Sequence, residues 1–166
     1  MEREELSNEL IVLMSGIEKL RQELLTKVDQ GKGLLDPEVN DMANLIIEVE
    51  GYLRVEKVSG AAFELSMKIA RLAGLLKMHL KHEDEVLYPR LKTSNNLKVR
   101  QITERFINEM GGLSTAFDEY RNSYKSSNQI KDKPEAFIRD TQKIIEALKK
   151  RVQKENEELY LMAEQL

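Results

Sequence analysis

The stretch Met78-His79-Leu80-Lys81-His82-Glu83-Asp84-Glu85-Val86-Leu87-Tyr88-Pro89-Arg90-Leu91 places a histidine and a carboxylate, His79 and Glu83, one helical turn apart. Residues i and i+4 project from the same helix face, so two such pairs on facing helices of a bundle can close around a metal pair. Upstream, Leu65, Ile69, Leu72 and Leu76 fall in phase with His79, Glu83 and Val86. That stripe predicts one long amphipathic helix from the Ser59-Gly60 joint to Pro89. His79 and His82 are the only histidines of the chain, and this shortage governs the reading of the site. His82 lies about 60° round the helix from His79 and reads first as a boundary or surface residue, second as a ligand.

Three more long helices follow from the same periodicity. Leu6, Leu10, Leu13, Ile17, Leu20 and Leu24 mark a first helix over residues 2–28. Asp29-Gln30-Gly31-Lys32-Gly33 ends it, and Asp36-Pro37 supplies a cap and a proline at the first position of a shorter helix over residues 37–55. After the motif helix, Thr93-Ser94-Asn95-Asn96 reads as a capping loop. The next stripe, Ile102, Phe106, Met110, Leu113, Phe117, Tyr120 and Tyr124, runs through Gly111-Gly112. Residues 126–133 read as a loop, and Pro134 opens a last helix whose inner face carries Phe137, Thr141, Ile144, Leu148, Arg151, Glu155, Leu159 and Met162. The expected fold is all-α: an up-down-up-down antiparallel four-helix bundle, with the 37–55 helix inserted between the first and second long helices. A chain of 166 residues suits a single domain over 1–166.

Composition excludes several classes of function. Without cysteine there is no disulfide framework, thiolate metal site, iron–sulfur cluster or cysteine nucleophile. Charged residues make up 33% of the chain and nearly cancel to a net charge of −3, which argues against nucleic acid as a partner. The start, Met1-Glu2-Arg3-Glu4-Glu5, is acidic and no long apolar run follows it, so neither secretion nor a membrane partner is expected and a cytoplasmic location is. No glycine-rich phosphate loop, Ser/His/Asp set or metalloprotease helix is present.

Laid over the motif at an offset of 72 residues, the last helix repeats it: His79-x-x-x-Glu83 with Leu87-Tyr88 aligns with Arg151-x-x-x-Glu155 with Leu159-Tyr160. On these residues the chain resembles the hemerythrin-like family, the HHE cation-binding domain. The resemblance implies a four-helix bundle around a non-haem di-iron centre. A His-x-x-x-Glu pair is then expected on the second and fourth long helices, with further histidines on the first and third. Oxygen binding, iron sensing and nitrosative-stress repair have been attributed to members. In this chain the first-helix position falls among Leu6, Ser7, Asn8, Glu9 and Leu10, Met110 stands where the third helix has histidine, and Arg151 replaces another. Three expected imidazoles are missing.

Two readings of the site follow. In the first, His79, Glu83 and Glu155 hold a single iron or other divalent cation, with Glu9 joining if the first helix turns it inward. Such a module would serve sensing, storage or small-ligand binding. Non-haem iron favours imidazole and carboxylate, and neither a thioether from Met110 nor a guanidinium from Arg151 substitutes for them. In the second, Arg151 reaches Glu155 on its own helix and Glu83 across the bundle, and its fixed charge replaces the metal. The chain is then a degenerate hemerythrin-like bundle without a cofactor, non-enzymatic, acting structurally or as a regulator through an unidentified protein partner. A metal-dependent redox enzyme has the least support, because no second acid–base group or cofactor loop accompanies the motif. The inserted helix, with Val39, Met42, Leu45, Ile46, Ile47 and Val49, carries more apolar residues than one buried stripe needs, which raises a homodimer as its occupant.

Overall fold

A computed structural model describes residues 39–165, without the side chains of residues 39, 40, 159, 160 and 163–165. The expected first helix over 2–28, and Glu9 with it, lies outside the described residues. Every described element is helical: α1 (Val39–Gly51), a single turn α2 (Val55–Val58), α3 (Ala62–His82), a π-helical turn (Glu83–Leu87), α4 (Tyr88–Lys92), α5 (Leu97–Met110), α6 (Leu113–Ser123), α7 (Ser127–Asp132) and α8 (Pro134–Gln165).

The motif helix does not stop at Pro89; it runs on to Lys92 through the π turn. Proline lacks an N–H, and in a regular helix its ring collides with the carbonyl four residues back, here that of Glu85. The wide turn opens the ladder, and Tyr88 N–H donates to the carbonyl of Glu83, five residues back. One residue is thereby inserted into the stripe. Val86, expected on the inner face, is half-buried, while Leu87 and Tyr88 turn fully inward.

The third expected helix is two helices, α5 and α6, parted at Gly111-Gly112. Gly111 N–H donates to Ile107 O at 2.9 Å, and a Cβ on Gly111 would sit 2.6 Å from that oxygen. Only glycine fits this close approach. Asn96 caps α5 as expected, its Oδ1 accepting from the N–H groups of Lys98 (3.0 Å) and Val99 (3.2 Å). The stretch expected as a loop from residue 126 instead holds α7. Ser126 and Gln129 form a reciprocal capping box at its start, and buried Ile130 anchors it.

α1, α3, α6 and α8 enclose one apolar core, into which Met42, Leu45, Ile46 and Val49 of α1 are buried. Of the other apolar residues of that helix, Ile47 is half-buried and the side chain of Val39 lies outside the described residues. Phe117, Tyr120, Tyr124 and Phe137 stack through this core with successive ring centroids 5.7, 5.3 and 5.2 Å apart. A second core, made of Leu87, Tyr88, Leu91, Val99, Ile102, Phe106 and Met162, lies towards the far end of α8. Between the two, from Leu80 to Leu87 on one helix and from Leu148 to Met162 on the other, the described buried side chains are charged.

Candidate metal centre

Helical phase brings Glu83, Arg151 and Glu155 into the interior with relative exposures of 0%, 3% and 2%. Each oxygen of Glu83 has its own partner. His79 Nε2 lies 2.5 Å from Oε1 and Arg151 Nη2 lies 2.8 Å from Oε2. Tyr88 supplies a cross-link, its hydroxyl donating to Glu155 Oε1 at 2.9 Å and standing 3.4 Å from Glu83 Oε2. The π turn puts Tyr88 there: it follows directly on that turn, and its ring packs on Phe106 with centroids 5.1 Å apart.

Arg151 is the hub. Besides Glu83 its guanidinium reaches Asp84 Oδ1 (3.4 Å), donates through Nη1 to the Met110 carbonyl (3.2 Å) and lies 5.6 Å from the centre of the Phe106 ring. Its Nε is buried and has no hydrogen-bond partner among the described residues. Burial opposes the charge on Arg151, but Glu83 and then Glu155 outweigh that opposition, and its pKa is raised. The guanidinium is therefore a permanent cation beside two buried carboxylates. Asp84 has a raised pKa, through burial first, with Arg151 pulling the other way.

His79, Glu83 and Glu155 each present one donor atom within a group whose atoms all lie within 4.8 Å of one another. His82 is not part of this group; it is half-buried, and its Nε2 is buried without a hydrogen-bond partner among the described residues. Leu159 and Tyr160 lie in α8, with their side chains outside the described residues. Met110 meets the centre through its carbonyl, which accepts from Arg151. Sequence reasoning missed three participants. Tyr88 and Asp84 were quoted in the motif without a role. Glu158, 3% exposed, takes Arg105 Nη2 on both oxygens at 3.0 and 2.9 Å and Lys154 at 3.3 Å. Its spacing of three from Glu155 was the available signal.

As a donor set, one imidazole and two carboxylates among the described residues match a single divalent ion and fall short of two. Arg151 works against even one, because its charge sits 2.8 Å from an oxygen of the candidate ligand Glu83. Compared with models of known families, residues 38–163 match the hemerythrin HHE cation binding domain. The match begins beyond residues 6–10, where the first-helix histidine was sought. No curated protein and no solved structure matches the chain.

Proposed function

The chain belongs to the hemerythrin HHE cation-binding domain family, and we propose that its centre is degenerate, the Arg151 cluster standing where the family's metal pair is expected. The observation that carries this reading is the buried Arg151–Glu83 pair at 2.8 Å. A guanidinium supplies one fixed positive charge and planar donors, which is what two buried carboxylates need once a metal is gone. It offers neither a redox couple nor an open coordination position. The protein is on this reading a non-enzymatic cytoplasmic bundle with a structural or regulatory role. Its architecture on this reading is the up-down-up-down antiparallel four-helix bundle expected from the sequence. The absence, among the described residues, of any helix long and apolar enough to cross a membrane is compatible with that location.

A second reading keeps one iron or other divalent cation on His79, Glu83 and Glu155, favoured by their mutual approach within 4.8 Å. Such an ion would act as a Lewis acid or bind a small ligand, with Tyr88 steadying Glu155. The test is metal content by mass spectrometry after anaerobic loading with ferrous iron and desalting, on wild type, His79→Ala and Arg151→His. The proposal expects wild type to retain well under one equivalent and Arg151→His to retain more. One equivalent in wild type, lost in His79→Ala, establishes the second reading. Two equivalents in wild type overturn both.

A further inference from the structure

The chain has no cysteine, so its 7 methionines are its only sulfur and the side chains most open to two-electron oxidation. The fold sorts them by access. Met42 and Met162 are each 1% exposed, one in each apolar core. The Thr103 hydroxyl donates to the Met162 sulfur at 3.3 Å. Met110 is half-buried. Met67 and Met78 of α3 are 58% and 70% exposed and belong to neither core.

Helical phase puts the exposed pair on one face. They stand about three turns apart along α3 and roughly 20° from one another round its axis, on the side turned away from buried Leu65, Ile69, Leu72, Leu76 and Leu80. Between them the exposed Ala70 and Gly74 are too small to shield either sulfur. Both thioethers therefore meet solvent directly, and neither contributes packing that oxidation would break.

We propose that Met67 and Met78 form a paired oxidation site, through which hydrogen peroxide turns the exposed face of α3 from apolar to polar while the fold stays intact. A sulfur lone pair attacks one peroxide oxygen, a sulfur–oxygen bond forms and the O–O bond breaks. The hydroxide that leaves takes the proton of the transferred oxygen and departs as water. The thioether is oxidised by two electrons to the sulfoxide, and the peroxide is reduced. On α3 the new oxygen, a polar acceptor, is hydrated at once. In the cores the same oxygen would need space that close packing does not leave and would lose its water. No residue of the charged layer takes part.

Hydrogen peroxide treatment of the folded full chain, followed over time by peptide mass spectrometry, tests this. Met67 and Met78 should gain oxygen within about twofold of their rate in the urea-unfolded chain, and Met42 and Met162 about tenfold more slowly, or slower still, until urea is added. The oxidised protein should keep its helical circular dichroism and elute earlier from a hydrophobic-interaction column. Met67→Leu combined with Met78→Leu keeps the face apolar without its sulfur and should lose most of that shift. Protection of Met67 and Met78 in the folded chain overturns the proposal, as does equally fast oxidation of Met42 and Met162. Loss of helix on oxidation, or an equal elution shift in the double variant, overturns it too.

Discussion

The two halves of α8 keep one helical period and bury opposite chemistries. Up to Leu148 the inner face carries Phe137, Thr141, Ile144, Ile145 and Leu148; from Arg151 onward the described buried residues are Arg151, Glu155, Glu158 and Met162. Packing is close in both halves, so burial alone does not tell them apart. They differ in how their residues depend on one another. An apolar side chain is stabilised by removal from water whatever its neighbours are, within the limits of shape. A buried charge is tolerable only while its counter-charge is present.

That difference sets the largest expected effects. Arg151→Leu strands Glu83 and Glu155 and should cost about 3 to 5 kcal/mol, a fall in Tm of roughly 10 °C for a chain of this size. Adding Glu83→Gln to Arg151→Leu should recover most of the loss. Equal melting temperatures for Arg151→Leu and wild type would break the comparison outright. In the apolar half, Leu65→Ala removes a side chain with no exposed surface and should cost about 3 kcal/mol. Combined with Glu83→Gln, many residues away on the same face, its cost should add within about 0.5 kcal/mol. Urea denaturation of the two double variants separates the halves: recovery in one, simple addition in the other.

Tyr88→Phe sharpens the picture inside the charged half. The ring would keep its place on Phe106, while the hydroxyl bond to Glu155 at 2.9 Å would vanish. A hydrogen bond to a buried charged group is worth about 1.5 to 3 kcal/mol, so the loss should lie in that range. A change below about 0.5 kcal/mol would mean that Glu155 finds another donor and that the tyrosine is only packing.

Legibility in the sequence follows the same divide. The stripes of α3 and α8 were readable because helical phase fixes which residues face one another, and the 72-residue echo brought Arg151 and Glu155 to face Glu83. The sequence left the chemistry of that layer open between an ion on His79, Glu83 and Glu155 and a pairing through Arg151, and only the meeting of Arg151 and Glu83, 2.8 Å apart, was readable. The π turn was not, because periodicity assumes a constant 3.6 residues per turn and the inserted residue between Glu83 and Leu87 shifts everything after it. Tyr88, directly after that turn, was missed for that reason. Pro89 inside a helical pattern was the available clue, read instead as an end. The capping pair Ser126 and Gln129 was likewise present in the letters and passed over for the polar composition of its surroundings.

Alkali should distinguish the halves last and most gently. Tyr124 lies in the apolar core with its hydroxyl on Asp140 at 2.5 Å, and burial first, then that bond and charge, push its pKa up to about 12. Tyr120 is raised as well, chiefly by burial. Because the folded pKa lies above the unfolded value of 10.0, the neutral tyrosine stabilises the fold fully below about pH 10, and that contribution disappears as pH rises through about 12. The pKa of Arg151 is raised too, and an arginine stays charged throughout this window, so the Arg151–Glu83 pair of the charged half persists. Melting temperatures measured just below pH 10 and near pH 12 should therefore fall further in wild type than in Tyr124→Phe, which has no phenol at that position to ionise. Parallel falls in the two proteins would place the alkaline weakness elsewhere, on the lysines of the surface, and would remove titration from the properties that separate the two halves of the bundle.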